Sequence, residues 1–155
     1  MTLTSTDMTT LVTQAISTVD DPEYPGISIV DLGLLESVEV DRRSVRIGLI
    51  PTFSGCPALT MIAEDVRAAL QSLDEVDTVE VQWLRSPAWS SERVTERGRT
   101  ALAHEFTVAV QIGSHSTACP RCGTTTTRES LFGPSRCREV HRCNTCRETI
   151  EVMRG

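Results

Sequence analysis

The chain has 155 residues, of which 39% are hydrophobic and 23% charged, the composition of a soluble globular protein. This length allows one ordinary domain, or a small domain joined to a metal-stapled module. The first residues lack a basic stretch followed by an apolar core, and no apolar run reaches the about 20 residues that cross a bilayer. The sequence therefore predicts neither secretion nor membrane insertion, and we expect a cytoplasmic protein.

Charge and cysteine are distributed unevenly along the chain. Residues 1–106 carry 17 acidic and 8 basic side chains, a net charge of −9, whereas residues 107–155 carry 4 and 7, a net charge of +3. Four thiolates and one zinc ion would lower the second value to about +1, too little for a nucleic-acid-binding surface. In a reducing compartment, six cysteines favour metal or thiol chemistry over disulfides.

The first half of the chain alternates between helical and strand periodicity. The predicted elements are a helix over 7–19, a partly apolar loop over 25–33, strands over 37–41 and 45–49, a helix over 57–73 and a strand over 78–83. Proline at position 22 ends the first helix because the residue before proline leaves helical geometry. This order predicts an α+β fold, a small sandwich with helices on one face of a small sheet.

A third helix is expected next, with Ser90 as its N-cap and Trp89 packed against Val94. Residues 107–112 have the composition of a strand, and residues 113–117 that of a linker. We therefore predict a first domain over 1–106, a linker over 107–118 and a second domain over 119–155.

The second domain contains two C-x-x-C turns separated by 20 residues. This spacing predicts a zinc ribbon in which one tetrahedral ion is held by four thiolates, with strands over 128–132, 139–142 and 150–152. The predicted ligands are Cys119, Cys122, Cys143 and Cys146. The set has no open position, so a structural ion is expected. A single iron and an iron–sulfur cluster are the alternatives to zinc.

Cys137 and His141 lie between the two turns. Cys137 is interpreted as a small buried residue, with a spare thiol that exchanges metal or contacts a cluster in transit as the alternative. His141 is interpreted as an ordinary strand residue, with a hydrogen-bond donor to the metal site as the alternative.

Cys56 follows a strand and a glycine turn, and Pro57 fits the first position of the second helix. Cys56 is therefore predicted at a helix N-terminus, where free amides and the helix dipole favour a thiolate. A cysteine packed beneath the helix start is the alternative. No histidine or second cysteine is near in sequence, so no catalytic residue is predicted. Asp21, Glu23 and Asp31 precede the hairpin, and two of these carboxylates beside a thiolate could hold iron.

Several motifs together resemble the PaaD family, and the resemblance covers nearly the whole chain. The matching stretches are Asp21-Pro22-Glu23, Ile29-Val30-Asp31-Leu32-Gly33, Pro51-Thr52-Phe53-Ser54-Gly55-Cys56-Pro57, Ser86-Pro87-Ala88-Trp89 and Phe132-Gly133 with the ribbon cysteines. The resemblance implies a SufT-like sandwich of the iron–sulfur cluster assembly type, followed by a zinc ribbon. By position, Cys56 would be the cysteine of the assembly domain, with Asp21, Glu23 and Asp31 in its acidic loop.

The resemblance also implies a function. PaaD-like proteins are non-catalytic accessory factors for the metal centres of phenylacetyl-CoA epoxidase, which joins a di-iron oxygenase to a flavin and iron–sulfur reductase in phenylacetate catabolism. The expected cofactors are a structural Zn²⁺ and, transiently, iron or an iron–sulfur cluster. The expected partner is the oxygenase or its reductase, and a homodimer is possible.

Two other classes of function compete with this one. The protein could be a structural zinc-ribbon subunit or docking module of the oxygenase complex. A nucleic-acid-binding ribbon is disfavoured by the net charge of −6. The ending after Ile150 departs from the aromatic-rich ending of the family, which affects the pathway assignment more than the fold.

Overall fold

The computed structural model describes residues 3–114 and 116–154. The chain forms two compact units, Met1–Ala88 and Trp89–Gly155. Within the described residues, no helix combines the length and the apolar character that crossing a membrane requires.

The first unit consists of two helices and a three-stranded sheet, with a small two-stranded ladder ahead of them. Its elements are α1 (Ser5–Ile16), β1 (Asp20–Asp21), β2 (Tyr24–Ser28), β3 (Leu35–Asp41), β4 (Ser44–Leu49), α2 (Leu59–Gln71) and β5 (Thr78–Trp83). The sheet has the order β3-β4-β5, in which β3 and β4 are antiparallel and β4 and β5 are parallel. Both helices contact the sheet and each other. The predicted α+β architecture is confirmed.

The helices and the hairpin begin and end for local reasons. Thr4 caps α1 through a reciprocal capping box with Asp7. The hairpin pairs Asp41 with Ser44, and Arg42 adopts a left-handed backbone in the two-residue turn. One face of α1 and α2 buries apolar side chains at helical spacing against the sheet. These are Met8, Val12 and Ile16 of α1, and Ile62, Ala63, Val66 and Leu70 of α2.

Two predictions for the segment ahead of β3 are wrong. Helix α1 ends at Ile16 rather than at residue 19, since the chain turns there to pair β1 with β2. The predicted loop over 25–33 contains part of β2, because Ile27 and Ile29 are buried and the β2 backbone pairs with β1.

The second unit contains one helix and a four-stranded sheet. Its elements are a short 3₁₀ helix (Ser91–Arg93), α3 (Glu96–Phe106), β6 (Val108–Val110), β7 (Thr126–Ser130), β8 (Arg138–Cys143) and β9 (Thr149–Met153). The strand order is β6-β9-β8-β7, with β6 parallel to β9 and the other neighbours antiparallel. Its buried apolar cluster is small: Ala109, Cys119, Cys143, Ile150 and Val152.

The third helix begins later than predicted. Ser90 precedes only the 3₁₀ helix, and its side chain makes no capping bond there. Val94 is extended, so the 3₁₀ helix does not continue into α3. Thr95 is the N-cap of α3, and its side chain accepts a hydrogen bond from the Gly98 amide at 3.0 Å. Gly98 thus lies in the first turn of the helix.

The boundary between the two units lies between Ala88 and Trp89, earlier than the predicted domain boundary at residue 106. Helix α3 packs against β6, and β6 pairs with β9 of the ribbon sheet, so both belong to the second unit. The segment 107–118 therefore includes a strand of that sheet. His115, within the same segment, lies outside the described residues.

Candidate metal centre

The four predicted cysteines converge on one point. Their Sγ atoms all lie within 4.8 Å of one another, and no other group of three or more potential ligands occurs among the described residues. The Cys119 and Cys146 sulfurs are 3.8 Å apart, and the Cys122 and Cys143 sulfurs 3.3 Å. Four sulfurs at about 2.3 Å from a tetrahedral zinc ion are separated by about 3.8 Å. The donor set and its spacing therefore fit one such ion.

The two cysteine turns share one backbone pattern. The amide of Cys119 donates to the carbonyl of Thr124 at 2.7 Å, and the amide of Cys143 donates to the carbonyl of Glu148 at 2.9 Å. Each bond closes a loop that brings both cysteines of its pair to the same side. Cys119 and Cys143 are buried, whereas Cys122 and Cys146 are exposed. The site thus lies at the edge of the small ribbon core, with one side toward solvent.

Hydrogen-bond donors surround the sulfurs. The amides of Arg121 and Thr145 donate to Cys119 and Cys143, each at 3.4 Å. The hydroxyl of Thr124 lies 3.1 Å from the sulfur of Cys122 and 3.2 Å from that of Cys143. The sequence reasoning missed Thr124, although its position two residues after Cys122 is a signal that it lies beside the site.

The thiols differ in acidity for identifiable reasons. The Thr124 hydroxyl is the largest influence on Cys143, and together with nearby amides it lowers the pKa of that thiol to about 5. The same hydroxyl lowers the pKa of Cys122. For Cys146, a backbone hydrogen bond at Glu148 lowers the pKa, but the neighbouring thiols, Cys143 first, and burial raise it to about 12. Four thiolates at neutral pH therefore require a cation among them, which is what a zinc ion supplies.

A network of polar side chains is centred on β8, the strand that carries Cys143. Alternate residues of β8 point inward, so Glu139 and His141 are buried together with Cys143. Nε2 of His141 is 2.9 Å from a Glu139 carboxylate oxygen, and Nδ1 is 2.9 Å from the Thr126 hydroxyl. The other oxygen of Glu139 accepts from Arg154 at 3.0 Å. His141 thus bonds to Glu139 and Thr126 and belongs to a polar network in the ribbon core.

Cys137 lies apart from the four-cysteine group. It is half-buried directly before β8, and its sulfur is 3.3 Å from the hydroxyl of Ser135.

Cys56 lies on a turn ahead of α2. Its amide donates to the carbonyl of Phe53 at 3.1 Å, and its carbonyl accepts from Leu59 at 3.4 Å. Helix α2 begins at Leu59 with Ala58 as N-cap, so Pro57 is not the first helical residue and Cys56 precedes the cap by two residues. The prediction of the helix start is wrong because the segment before Ala58 forms turns of its own. Cys56 is half-buried.

The acidic residues occupy separate local structures. Asp21 belongs to β1, and its carboxylate accepts from the amide of Glu23 at 2.8 Å. Glu23 is exposed, whereas Asp31 is buried in the turn that follows β2. Cys56 and these three carboxylates do not form a ligand cluster of the kind that the four ribbon cysteines form.

Comparison with known proteins defines the class of both units. Residues 10–83 match the family described as iron-sulfur cluster assembly protein, and residues 103–154 match the PaaD zinc beta ribbon domain. A solved structure from Bacillus anthracis, a domain of unknown function called DUF59, is 31% identical, covers 64% of this chain and 95% of its own, and superposes with a TM-score of 0.61. The chain thus joins an assembly-type domain to a zinc-ribbon domain.

Relatives of similar sequence specify the family. A putative 1,2-phenylacetyl-CoA epoxidase subunit of Escherichia coli is 32% identical over 147 residues, which are 90% of this chain and 88% of that protein. The Fe-S protein maturation auxiliary factor YitW of Bacillus subtilis is 35% identical over 57% of this chain and 86% of its own. The chain belongs to the PaaD family, and the resemblance predicted from its motifs is confirmed.

Proposed function

We propose that this protein is a non-catalytic accessory factor that helps to mature the iron–sulfur or di-iron centres of a phenylacetyl-CoA epoxidase-type oxygenase in the cytoplasm. The observation that carries the proposal is that one chain joins an assembly-type unit to a closed four-cysteine ribbon. The Escherichia coli relative, whose name is that of an epoxidase subunit, matches along both units. The Bacillus subtilis relative, named as an Fe-S maturation factor, supports the role of the first unit.

The composition of the first unit supports a role without catalysis. Residues 1–88 contain one cysteine, Cys56, and no histidine or lysine. A cysteine nucleophile activated by histidine is therefore impossible within this unit. Iron–sulfur clusters are held by several thiolates, so one cysteine would share its cargo with ligands from the client or from a second copy. Cys56 is proposed as the cargo ligand, with Asp21, Glu23 and Asp31 as additional candidates.

The ribbon supports a structural role for its ion. We propose that Cys119, Cys122, Cys143 and Cys146 hold Zn²⁺ as thiolates. Four protein ligands leave no open position for substrate or water, so the ion stabilises a unit whose apolar cluster is small. Thr124 and the amides of the two turns orient and stabilise the thiolates.

The proposal is tested by replacing Cys56 in cells whose epoxidase activity requires this protein. Cys56→Ser is expected to abolish support for the client, measured as epoxidase activity and as iron per purified client, with zinc content of the accessory protein unchanged. Cys137→Ser is the matched control, since it removes the other cysteine outside the four-cysteine group. Asn replacements of Asp21 and Asp31 test the acidic candidates. Full client activity with Cys56→Ser would overturn the proposal.

A structural subunit of the oxygenase complex is the second candidate function. It is favoured by the ribbon, which offers a closed metal site and an exposed aromatic residue, Phe132, but no open ligand position. This function predicts stable co-purification with the oxygenase and unchanged client activity for Cys56→Ala.

A further inference from the structure

The cysteine of the first unit lies at the end of a four-residue turn. The amide of Cys56 donates to the carbonyl of Phe53 at 3.1 Å, the hydrogen bond that closes a β-turn. Ser54 and Gly55 occupy the two central positions, and both are exposed. We call residues 53–56 the Cys56 turn. The position of Cys56 therefore depends on how firmly the two central residues are held.

The ring of Phe53 lies against Gly55. A Cβ atom on Gly55 would be 2.8 Å from Cε1 of the ring, and 3.4 Å and 3.6 Å from Cζ and Cδ1. Carbon atoms in favourable contact are separated by about 3.5–4.0 Å. The half-buried ring therefore occupies the space that a side chain at position 55 would need.

This ring, and not the backbone, accounts for glycine at position 55. Gly55 does not have a positive φ, so its backbone lies in a region that residues with a side chain also adopt. An alanine at this position would meet the Phe53 ring but no backbone strain of the left-handed kind. The small size of Gly55 thus serves the contact with Phe53.

The Phe53 ring removes a freedom that would otherwise reach the thiol. Glycine has more backbone freedom than any other residue, and directly before Cys56 that freedom would let the side chain move. Packing of the ring on Gly55 limits it from one side. From the other side, Pro57 disfavours helical backbone at Cys56, whose carbonyl accepts from the amide of Leu59 at 3.4 Å. A residue that binds metal has to be held within such narrow limits.

We propose that Phe53 is a positioning residue: its ring, packed on Gly55, holds the Cys56 turn closed and so fixes the direction in which the thiolate meets its cargo of iron or cluster. The inference rests on the proposed function, in which Cys56 is the cargo ligand. A phenyl ring offers no donor atom to a metal, so Phe53 acts through Gly55 and the hydrogen bond of the turn. Without the ring, the turn opens more often and Cys56 is more accessible, but it delivers less iron.

The test measures how fast iodoacetamide alkylates Cys56 in the folded, zinc-loaded full chain, with the modified peptide quantified by mass spectrometry. The chain carries Cys137→Ser, so Cys56 is the remaining cysteine outside the four-cysteine group. Rates are compared at a pH at which the thiol is fully ionised. Phe53→Ala is expected to raise the rate at least about threefold, because local opening exposes the half-buried thiol more often. Gly55→Ala is expected to raise it as well, since the added Cβ displaces the ring.

The double variant distinguishes one shared contact from two unrelated defects. If both changes act by separating the ring from Gly55, Gly55→Ala has no further effect once residue 53 is alanine. The double variant is therefore expected to react at the rate of Phe53→Ala. Phe53→Tyr keeps the ring and is expected to react at the wild-type rate. Ser54→Ala, which removes an exposed side chain of the same turn, is the matched control. Zinc content and thermal unfolding report folding, and Gly55→Ala carries the test if Phe53→Ala does not fold.

The outcomes separate this inference from the proposed function. In cells whose epoxidase activity requires the protein, Phe53→Ala and Gly55→Ala are expected to lower the iron per purified client toward the level of Cys56→Ser, and Phe53→Tyr to preserve it. An unchanged alkylation rate for Phe53→Ala, or effects that multiply in the double variant, overturns the inference alone. Full client iron with Phe53→Ala while Cys56 remains essential does the same. Full client iron with Cys56→Ser overturns the proposed function and with it the cargo role of the turn, whatever the alkylation rates.

Discussion

Gly123 and Arg147 occupy the same position in the two cysteine turns, directly after the second cysteine, and both have left-handed backbone, with φ of 76° and 65°. Glycine adopts this conformation without steric cost, whereas the Cβ of any other residue crowds the backbone by about 1–2 kcal/mol. The second turn therefore carries a strain that the first avoids.

This difference gives opposite predictions for two substitutions. Gly123→Ala is expected to destabilise the zinc-bound ribbon by about 1 kcal/mol through backbone strain alone, because nothing lies within 4 Å of the added Cβ. Arg147→Gly is expected to stabilise it by up to about 1 kcal/mol. Denaturant unfolding of the zinc-loaded chain measures both. Equal stability of the wild type and Gly123→Ala would show that the turn does not require its left-handed residue.

Thr124 is expected to strengthen zinc binding through its hydroxyl. Thr124→Val keeps the shape of the side chain but removes the group that lies 3.1 Å from Cys122 and 3.2 Å from Cys143. Loss of such a ligand-supporting group lowers metal affinity by about 10- to 100-fold. Competition with a chromophoric chelator measures the affinity, and Thr124→Ser should restore it. An affinity for Thr124→Val equal to that of the wild type would contradict the role.

Zinc binding is expected to release protons and to strengthen as pH rises from about 6 to about 8. The thiolate is the form that binds zinc, and without the ion the pKa of Cys143 is about 5 while that of Cys146 is about 12. Cys143 is therefore ionised across this range, but Cys146 is protonated and must lose its proton to the solvent. Calorimetry in buffers of different ionisation enthalpy counts the protons, and at least about one per ion is expected at neutral pH. A count of zero would refute the assignment of Cys146 as a ligand.

Glu139 is expected to matter for stability far more than Glu129, although each accepts from an arginine. The Glu139 side chain is 2% exposed and bonds to His141, whereas Glu129 is 42% exposed. Glu139→Ala should destabilise the ribbon by about 2–3 kcal/mol because it leaves Nε2 of the buried His141 imidazole without a partner. Glu129→Ala should cost less than about 1 kcal/mol. Thermal unfolding of the two variants side by side measures this difference, and similar losses would contradict it.

The sequence predicted those features whose cause is local. The C-x-x-C turns determine where their own sulfurs point, and the Asp41–Ser44 pairing follows from a two-residue break between alternating strands. Ser90 and Thr95 are both good cap residues, and the sequence does not show that Ser91 is buried, with its hydroxyl donating to the carbonyl of Gln111, while Thr95 caps α3. That contact joins residues 20 apart and has no local signal.

Contacts between residues far apart in sequence also limit what can be predicted about the sites. Whether Cys56 meets the carboxylates of Asp21 and Asp31 depends on distances across the fold, which the spacing in sequence does not give. Strand β6 is three residues long, and its assignment to the ribbon depends on its partner β9, far later in the chain. The bond between Glu139 and His141 was not predicted, because a buried polar pair on a strand has the same alternating pattern as an exposed one.

The position of β9 between β6 and β8 has a consequence for synthesis of the chain. β9 is the last strand of its sheet to be synthesised. The edges of β6 and β8 that pair with β9 therefore stay unpaired until residues 149–153 are available. By then all four metal ligands have been made, and the ion can fix β8 and the second cysteine turn before the last strand inserts. The ribbon is thus most vulnerable to mispairing before β9 inserts, when β6 and β8 both present unpaired strand edges.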